Sequence, residues 1–152
     1  MVLACCLGHH PAMMKLLVVD DSELIRSRLV DWFQNVLGLT DIDTAGTLEQ
    51  TLSRVQAGHP ALTILDLHLP DGNAIQIIPA LKQFAPAMRI AILTNDASEL
   101  NRARCLQAGA DWFFDKSTEF EKVLELVRQS VAAADGLQSQ ADQLVQAVNV
   151  FK

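Results

Sequence analysis

A parallel α/β sheet with helices on both faces is the fold class this sequence predicts, and three observations predict it. Short apolar runs without polar alternation recur along the chain, as strands buried on both faces require. Between them lie segments whose apolar residues repeat at helical spacing. The two patterns alternate five times, and β-α alternation of this kind builds a parallel sheet joined by crossover helices.

The first strand is Lys15 to Asp20, ending on the adjacent carboxylates Asp20 and Asp21. Ser22 has the character of an N-cap and Glu23 sits in the first turn. Ile25, Leu29, Trp32, Phe33 and Val36 carry that helix until Gly38 ends it. Asp41 to Ala45 is a weak second strand, and Leu48, Leu52 and Val55 stripe a second helix closed by Gly58 and Pro60. His59 reads as a loop residue. The third strand, Leu62 to Asp66, is followed by the turn Pro70-Asp71-Gly72. A third helix is predicted from about Asn73 to Phe84, with Ile75, Ile77, Ile78 and Leu81 inward and Pro79 kinking its interior. Met88 to Thr94 is a fourth strand. Ser98 is placed to cap a helix through Leu106, with Gly109 past its end. Asp111 to Asp115 is a fifth strand, followed by Lys116. Thr118 is placed to cap a last helix carrying Phe120, Val123, Leu124, Val127 and Val131.

A length of 152 residues argues for one domain. Lys and Arg number 12 against 18 Asp and Glu, a net charge of −6, which argues against a nucleic-acid surface. Cys5, Cys6 and Cys105 make no disulfide framework, so a reducing cytoplasm is expected. Residues 1–13 lack the basic region of a signal peptide and are too short to cross a bilayer; they read as a disordered leader. The cluster Cys5, Cys6, His9 and His10 is read as part of that leader rather than as a metal site. In residues 135–152 the composition shifts to Gln, Ser and Ala while Leu144, Val148 and Phe151 keep a helical spacing. An amphipathic tail and a loosely ordered terminus both fit.

Asp20-Asp21, Asp66, Thr94 and Lys116 all fall just past the ends of predicted strands. In a parallel sheet those ends share one edge, where open α/β sheets place their ligands. Clustered carboxylates raise one another's pKa unless a cation is present. A hard divalent ion fits, and Mg²⁺ fits best because it takes few protein ligands and keeps its waters. A central Asp flanked by metal, hydroxyl and ammonium is what phosphoryl transfer to a carboxylate needs.

Leu-Leu-Val-Val-Asp20-Asp21-Ser, Ile-Leu-Asp66-Leu-His-Leu-Pro-Asp-Gly72, Ile-Leu-Thr94-Asn, Ala-Gly109-Ala-Asp and Phe-Phe-Asp-Lys116-Ser occur in this order. Carrying them, residues 14–134 resemble the receiver domain of bacterial two-component response regulators. The resemblance implies a flavodoxin-like, doubly wound, five-stranded sheet of order 2-1-3-4-5. It implies that Asp66 is the phosphoacceptor, charged by a sensor histidine kinase or a phosphotransfer protein. Asp21, Asp66 and the backbone carbonyl of His68 would ligate Mg²⁺, with Asp20 acting mainly through water. Thr94 and Lys116 would bind phosphoryl oxygens, and Thr94 and Phe113 would move together as a switch. A homodimer through the face of helix 4, strand 5 and helix 5 is a further expectation. No nucleic acid is expected through this domain, and no membrane.

The chain departs from the family in three places. Ser117 follows Lys116 where a cis proline is usual, and Phe113 lacks a hydroxyl, so a switch there works by packing. Asp96, two residues after Thr94, brings a carboxylate near the phosphoryl edge, to slow the donor's access or to position a water. His68 is read as hanging over the pocket mouth without a catalytic part. The expected function is a stand-alone, phosphorylatable signalling switch, not an enzyme beyond its own phosphoryl transfer and dephosphorylation. The alternatives are the receiver of a larger regulator, an aspartyl-nucleophile Mg²⁺ phosphatase, and a scaffold that keeps the fold without the chemistry.

Overall fold

The computed structural model describes residues 14–136, so the leader and most of the tail lie outside the described residues. Five parallel strands form the sheet: β1 Leu16–Val19, β2 Ile42–Ala45, β3 Leu62–Leu65, β4 Arg89–Thr94 and β5 Trp112–Asp115. Their order is β2-β1-β3-β4-β5, the flavodoxin-like winding. The helices are α1 Glu23–Leu37, α2 Leu48–Gly58, α3 Ile78–Phe84, α4 Glu99–Ala108 and α5 Phe120–Gly136. A small antiparallel hairpin, His68–Leu69 against Gly72–Asn73, and a 3-10 turn, Ala74–Gln76, stand between β3 and α3.

The strands lack alternation because both faces are covered. Along β1, Leu17 and Val19 enter one core with Val55, Ile78, Leu81 and Cys105 from α2, α3 and α4. Leu16 and Val18, pointing the other way, enter a second core with Leu29, Phe33, Val123 and Val127 from α1 and α5. The second strand reads weakly because β2 is an edge, with only Ala45 of its four residues buried. An edge strand keeps one side toward solvent and tolerates Asp43 and Thr44.

The caps follow the sequence. Ser22 Oγ accepts the Ile25 N–H at 3.3 Å, and Ser98 Oγ accepts the Asn101 N–H at 3.1 Å. Gly38 ends α1 in the left-handed region at φ 73°, where its N–H donates to Gln34 O. His59, expected as a loop residue, is the C-cap of α2 and takes φ 49°.

Two local expectations are corrected. Pro79 lies in the first turn of α3, not in a helix interior. The preceding residues form the separate 3-10 turn, so the missing proline N–H is one that needs no helical partner, and no kink results. Thr118 lies two residues before α5. The approach to that helix is built instead by Asp115, whose N–H donates to Glu119 Oε1 and whose Oδ1 accepts from the Ser117 N–H and Oγ–H.

Candidate functional site

The strand ends bring Asp20, Asp66, Thr94 and Lys116 to one edge of the sheet. Each arrives by continuing its ladder: the Asp20 N–H donates to Ala45 O, the Asp66 N–H to Val19 O and the Lys116 N–H to Thr94 O. Asp20, Asp66 and Thr94 are buried, whereas Asp21 is exposed on the rim. Burial falls on the side chains nearest the sheet because α-helices close both faces beneath them.

Lys116 lies between two carboxylates, with Nζ 2.6 Å from Asp20 Oδ2 and 3.3 Å from Asp66 Oδ2. Asp20 is fixed further by the Ser22 N–H, which donates to its Oδ1 at 2.9 Å. Arg26, which the sequence reading did not single out, donates to the Asp20 backbone carbonyl from one turn into α1. Asp66 Oδ1 accepts the Leu67 N–H at 2.8 Å, which leaves Oδ2 toward Lys116 and the pocket.

Burial pushes the Asp66 carboxyl above its ordinary value; the Lys116 charge opposes this and the Asp20 charge adds to it. Burial alone would lower Lys116, but its hydrogen bond to Asp20 and the two facing carboxylates raise it overall. One ammonium therefore offsets only part of three carboxylates. Oxygens of Asp20, Asp21 and Asp66 lie within 4.8 Å of one another. An all-oxygen donor set with uncompensated negative charge fits a hard divalent cation.

A cavity of about 440 Å³ opens here, lined by Asp21, Asp66, His68, Thr94, Asn95 and Asp96. Asp66 and Thr94 form its floor, and His68 and Asp96 stand at its mouth, where His68 Nε2 and Asp96 Oδ2 are 2.6 Å apart. That contact was not anticipated. Its signal is a shared offset: each residue lies two positions beyond a floor residue, in the segments that follow the neighbouring strands β3 and β4.

Thr94 Oγ1 accepts the Asp96 N–H at 3.1 Å, so its own proton stays free to be donated. Phe113 is buried, facing the α2–α3–α4 side, and the Arg102 guanidinium lies 5.0 Å from its ring centroid. The Lys116–Ser117 peptide is trans.

The family model for the response regulator receiver domain matches residues 16–128. The DNA-binding transcriptional activator DevR/DosR of Mycobacterium tuberculosis is 34% identical over 116 residues, 76% of this chain and 52% of that protein. The chain spans about half the length of the curated relatives it matches, 52% and 56% for the first two. Among solved structures, the beryllofluoride-activated NtrC4 receiver domain dimer superposes with TM-score 0.70 and 27% identity, covering 81% of this chain and 99% of that one. A response regulator from Burkholderia pseudomallei, with a phosphorylated aspartic acid, a calcium ion and citrate, shares the fold. Its TM-score is 0.69 at 23% identity, covering 88% of this chain and 74% of that one.

Proposed function

We propose that this chain, which belongs to the response regulator receiver domain family, is a switch that takes a phosphoryl group on Asp66. The observation that carries the reading is the Asp66 carboxylate on the cavity floor, with one oxygen tied to the Leu67 N–H and the other facing Lys116. That second oxygen attacks the phosphorus of a phosphohistidine on a sensor kinase or phosphotransfer protein. The new P–O bond forms as the P–N bond breaks, and the imidazole leaves with the electron pair and takes up a proton. Lys116 and the Thr94 hydroxyl hold phosphoryl oxygens as charge shifts onto them. Asp20, Asp21, Asp66 and the backbone carbonyl of His68 would hold Mg²⁺, which when bound would neutralise the phosphoryl oxygens.

Thr94 drawn toward the phosphoryl group changes the space beside buried Phe113, and the α4–β5–α5 face follows. The chain does no chemistry beyond gaining and losing its own phosphoryl group, and it works in the cytoplasm. Among the described residues no helix is long and apolar enough to cross a membrane. A second reading shares the chemistry and differs in output: the unit serves as the receiver of a longer transcriptional regulator, as the names and lengths of the curated relatives favour.

Intact mass after incubation with acetyl phosphate and Mg²⁺ tests the acceptor. Wild type gains one phosphoryl adduct, and Asp66→Asn and EDTA-treated wild type gain none. An adduct on Asp66→Asn, or none on wild type, overturns the assignment.

A further inference from the structure

We propose that Arg26 is a positioning residue for the acidic cluster: its guanidinium holds the Asp20–Asp21 turn in the shape that aims Asp21 at a divalent cation, and Gly46 leaves the room this hold needs. The proposal rests on the reading of Asp20, Asp21 and Asp66 as the Mg²⁺ site.

The turn depends on such a hold. The chain leaves the sheet at Asp20, whose N–H still donates to Ala45 O. Its carbonyl is met from the side by Arg26 Nη1, one turn into α1. Asp20 is buried, and a buried carbonyl without a donor is costly, so the contact fixes both partners. That carbonyl belongs to the planar peptide joining Asp20 to Asp21. The Asp20 carboxylate has holders of its own, Lys116 and the Ser22 N–H. The exposed Asp21 carboxylate has no hydrogen-bond donor among the described residues. Its direction is therefore set by the backbone that Arg26 grips.

Gly46, between β2 and α2, shows how closely the hold is fitted. Its φ is negative, so the backbone there does not call for glycine. Space does. A Cβ at this position would lie 2.7 Å from Arg26 Nη1, the same atom that donates to Asp20 O. The next nearest atoms, Arg26 Cζ and Gln50 Oε1, would lie at 3.5 and 3.6 Å, which is ordinary contact. A methyl group at position 46 thus displaces one atom, and that atom is the one on the carbonyl.

Charge and position make opposite forecasts for Arg26. If its charge alone mattered, removing it would deepen the negative potential of the cluster and tighten Mg²⁺ binding. If it positions the turn, removing it frees the peptide that aims Asp21, and Mg²⁺ binds more weakly. Gly46→Ala changes no charge and deletes no hydrogen-bonding group, so it isolates the positional effect.

The experiment is a Mg²⁺ titration of the full chain, read from the amide shifts of Asp20, Asp21 and Asp66 in ¹⁵N–¹H spectra. Wild type, Arg26→Ala, Gly46→Ala and the double variant are compared, and amides far from the site check the fold. Each single variant should bind Mg²⁺ about tenfold more weakly, the lower end of the loss when a group that orients a metal ligand is removed. Both act through one contact, so the double variant should bind no more weakly than Arg26→Ala. Arg26→Ala that binds as tightly as wild type, or more tightly, overturns the proposal. So does Gly46→Ala with wild-type affinity, or a double variant whose loss is the product of the two. Should Arg26→Ala disturb the spectrum throughout, Gly46→Ala decides by the same criterion, since it keeps every group of the wild type. A wild type without any Mg²⁺-dependent shift sinks the metal reading itself, an outcome distinct from a wild type and variants that bind alike.

Discussion

At the scale of single residues, the acidic site at the strand ends is held in tension by its own charges. Lys116 touches two carboxylates but offsets only part of three, and burial opposes the ionised form of Asp66. Asp66→Asn keeps the shape of the side chain and removes that charge, while Lys116 keeps its shorter contact to Asp20. Functional sites of this kind trade stability for chemistry. The variant should be more stable than wild type at pH 7, by a few degrees in thermal unfolding without divalent ions. The sign follows from linkage. A carboxyl whose pKa is raised by folding destabilises the fold above that raised value, and the cost vanishes below the ordinary 3.8. The gain should therefore disappear as pH falls below 3.8. Added Mg²⁺ should narrow it at pH 7, since only wild type keeps the full donor set. An Asn variant no more stable than wild type at pH 7 would show that Lys116 already offsets the burial of Asp66.

At the scale of elements, an unforeseen contact ties the cavity loop to the neighbouring helix. Pro70-Asp71-Gly72 reads as a turn, and so it is, but the Asp71 carboxylate also caps α2 across the chain. Oδ1 accepts the Leu48 N–H at 2.7 Å and Oδ2 the Glu49 N–H at 3.1 Å. These are free donors of a helix first turn, and a carboxylate there also meets the positive end of the helix dipole. The Leu48 bond leads in holding the Asp71 carboxyl below its ordinary value. Asp71→Ala should therefore lower the melting temperature by a few degrees at pH 7. A pKa lowered by folding contributes stability above the ordinary 3.8 that is lost as pH falls through the lowered value. Wild type and variant should converge in that acid range, and a difference independent of pH would rule out the carboxylate as its source. The contact was not legible because 23 residues separate Asp71 from Leu48, and periodicity carries no signal over that distance. The strands, the caps at Ser22 and Ser98 and the edge holding Asp20, Asp66, Thr94 and Lys116 were legible because each rests on local pattern or on topology that pattern implies. Pro79 misled for the same reason. The apolar pattern continues through Asn73–Phe84, and only the structure separates a 3-10 turn from a helix begun afresh at Ile78.

At the scale of the whole molecule, the question is how a change at Asp66 reaches a partner. In the proposed switch the route would run from Thr94 on β4 to Phe113 on the neighbouring strand, whose Cα pairs with that of Ile92. Phe113 has no hydroxyl to exchange between partners. Its ring instead lies buried beside the Arg102 guanidinium of α4, so in the proposed switch repacking there would reach that helix directly. On the same helix Leu100 is exposed, an apolar side chain without cover on the α4 surface. Such residues suit an interface made only in the activated state. Sedimentation velocity with Mg²⁺ and beryllofluoride should convert monomer to dimer, while the untreated chain stays monomeric at the same concentration. Leu100→Asp should remain monomeric in both states yet take up phosphoryl on Asp66 at the wild-type rate, since it alters the face and not the cavity. Monomer throughout in wild type would remove the dimer from the mechanism and leave the α4–β5–α5 face to a different protein. A Leu100→Asp variant that still dimerised would place the interface on another surface of the sheet.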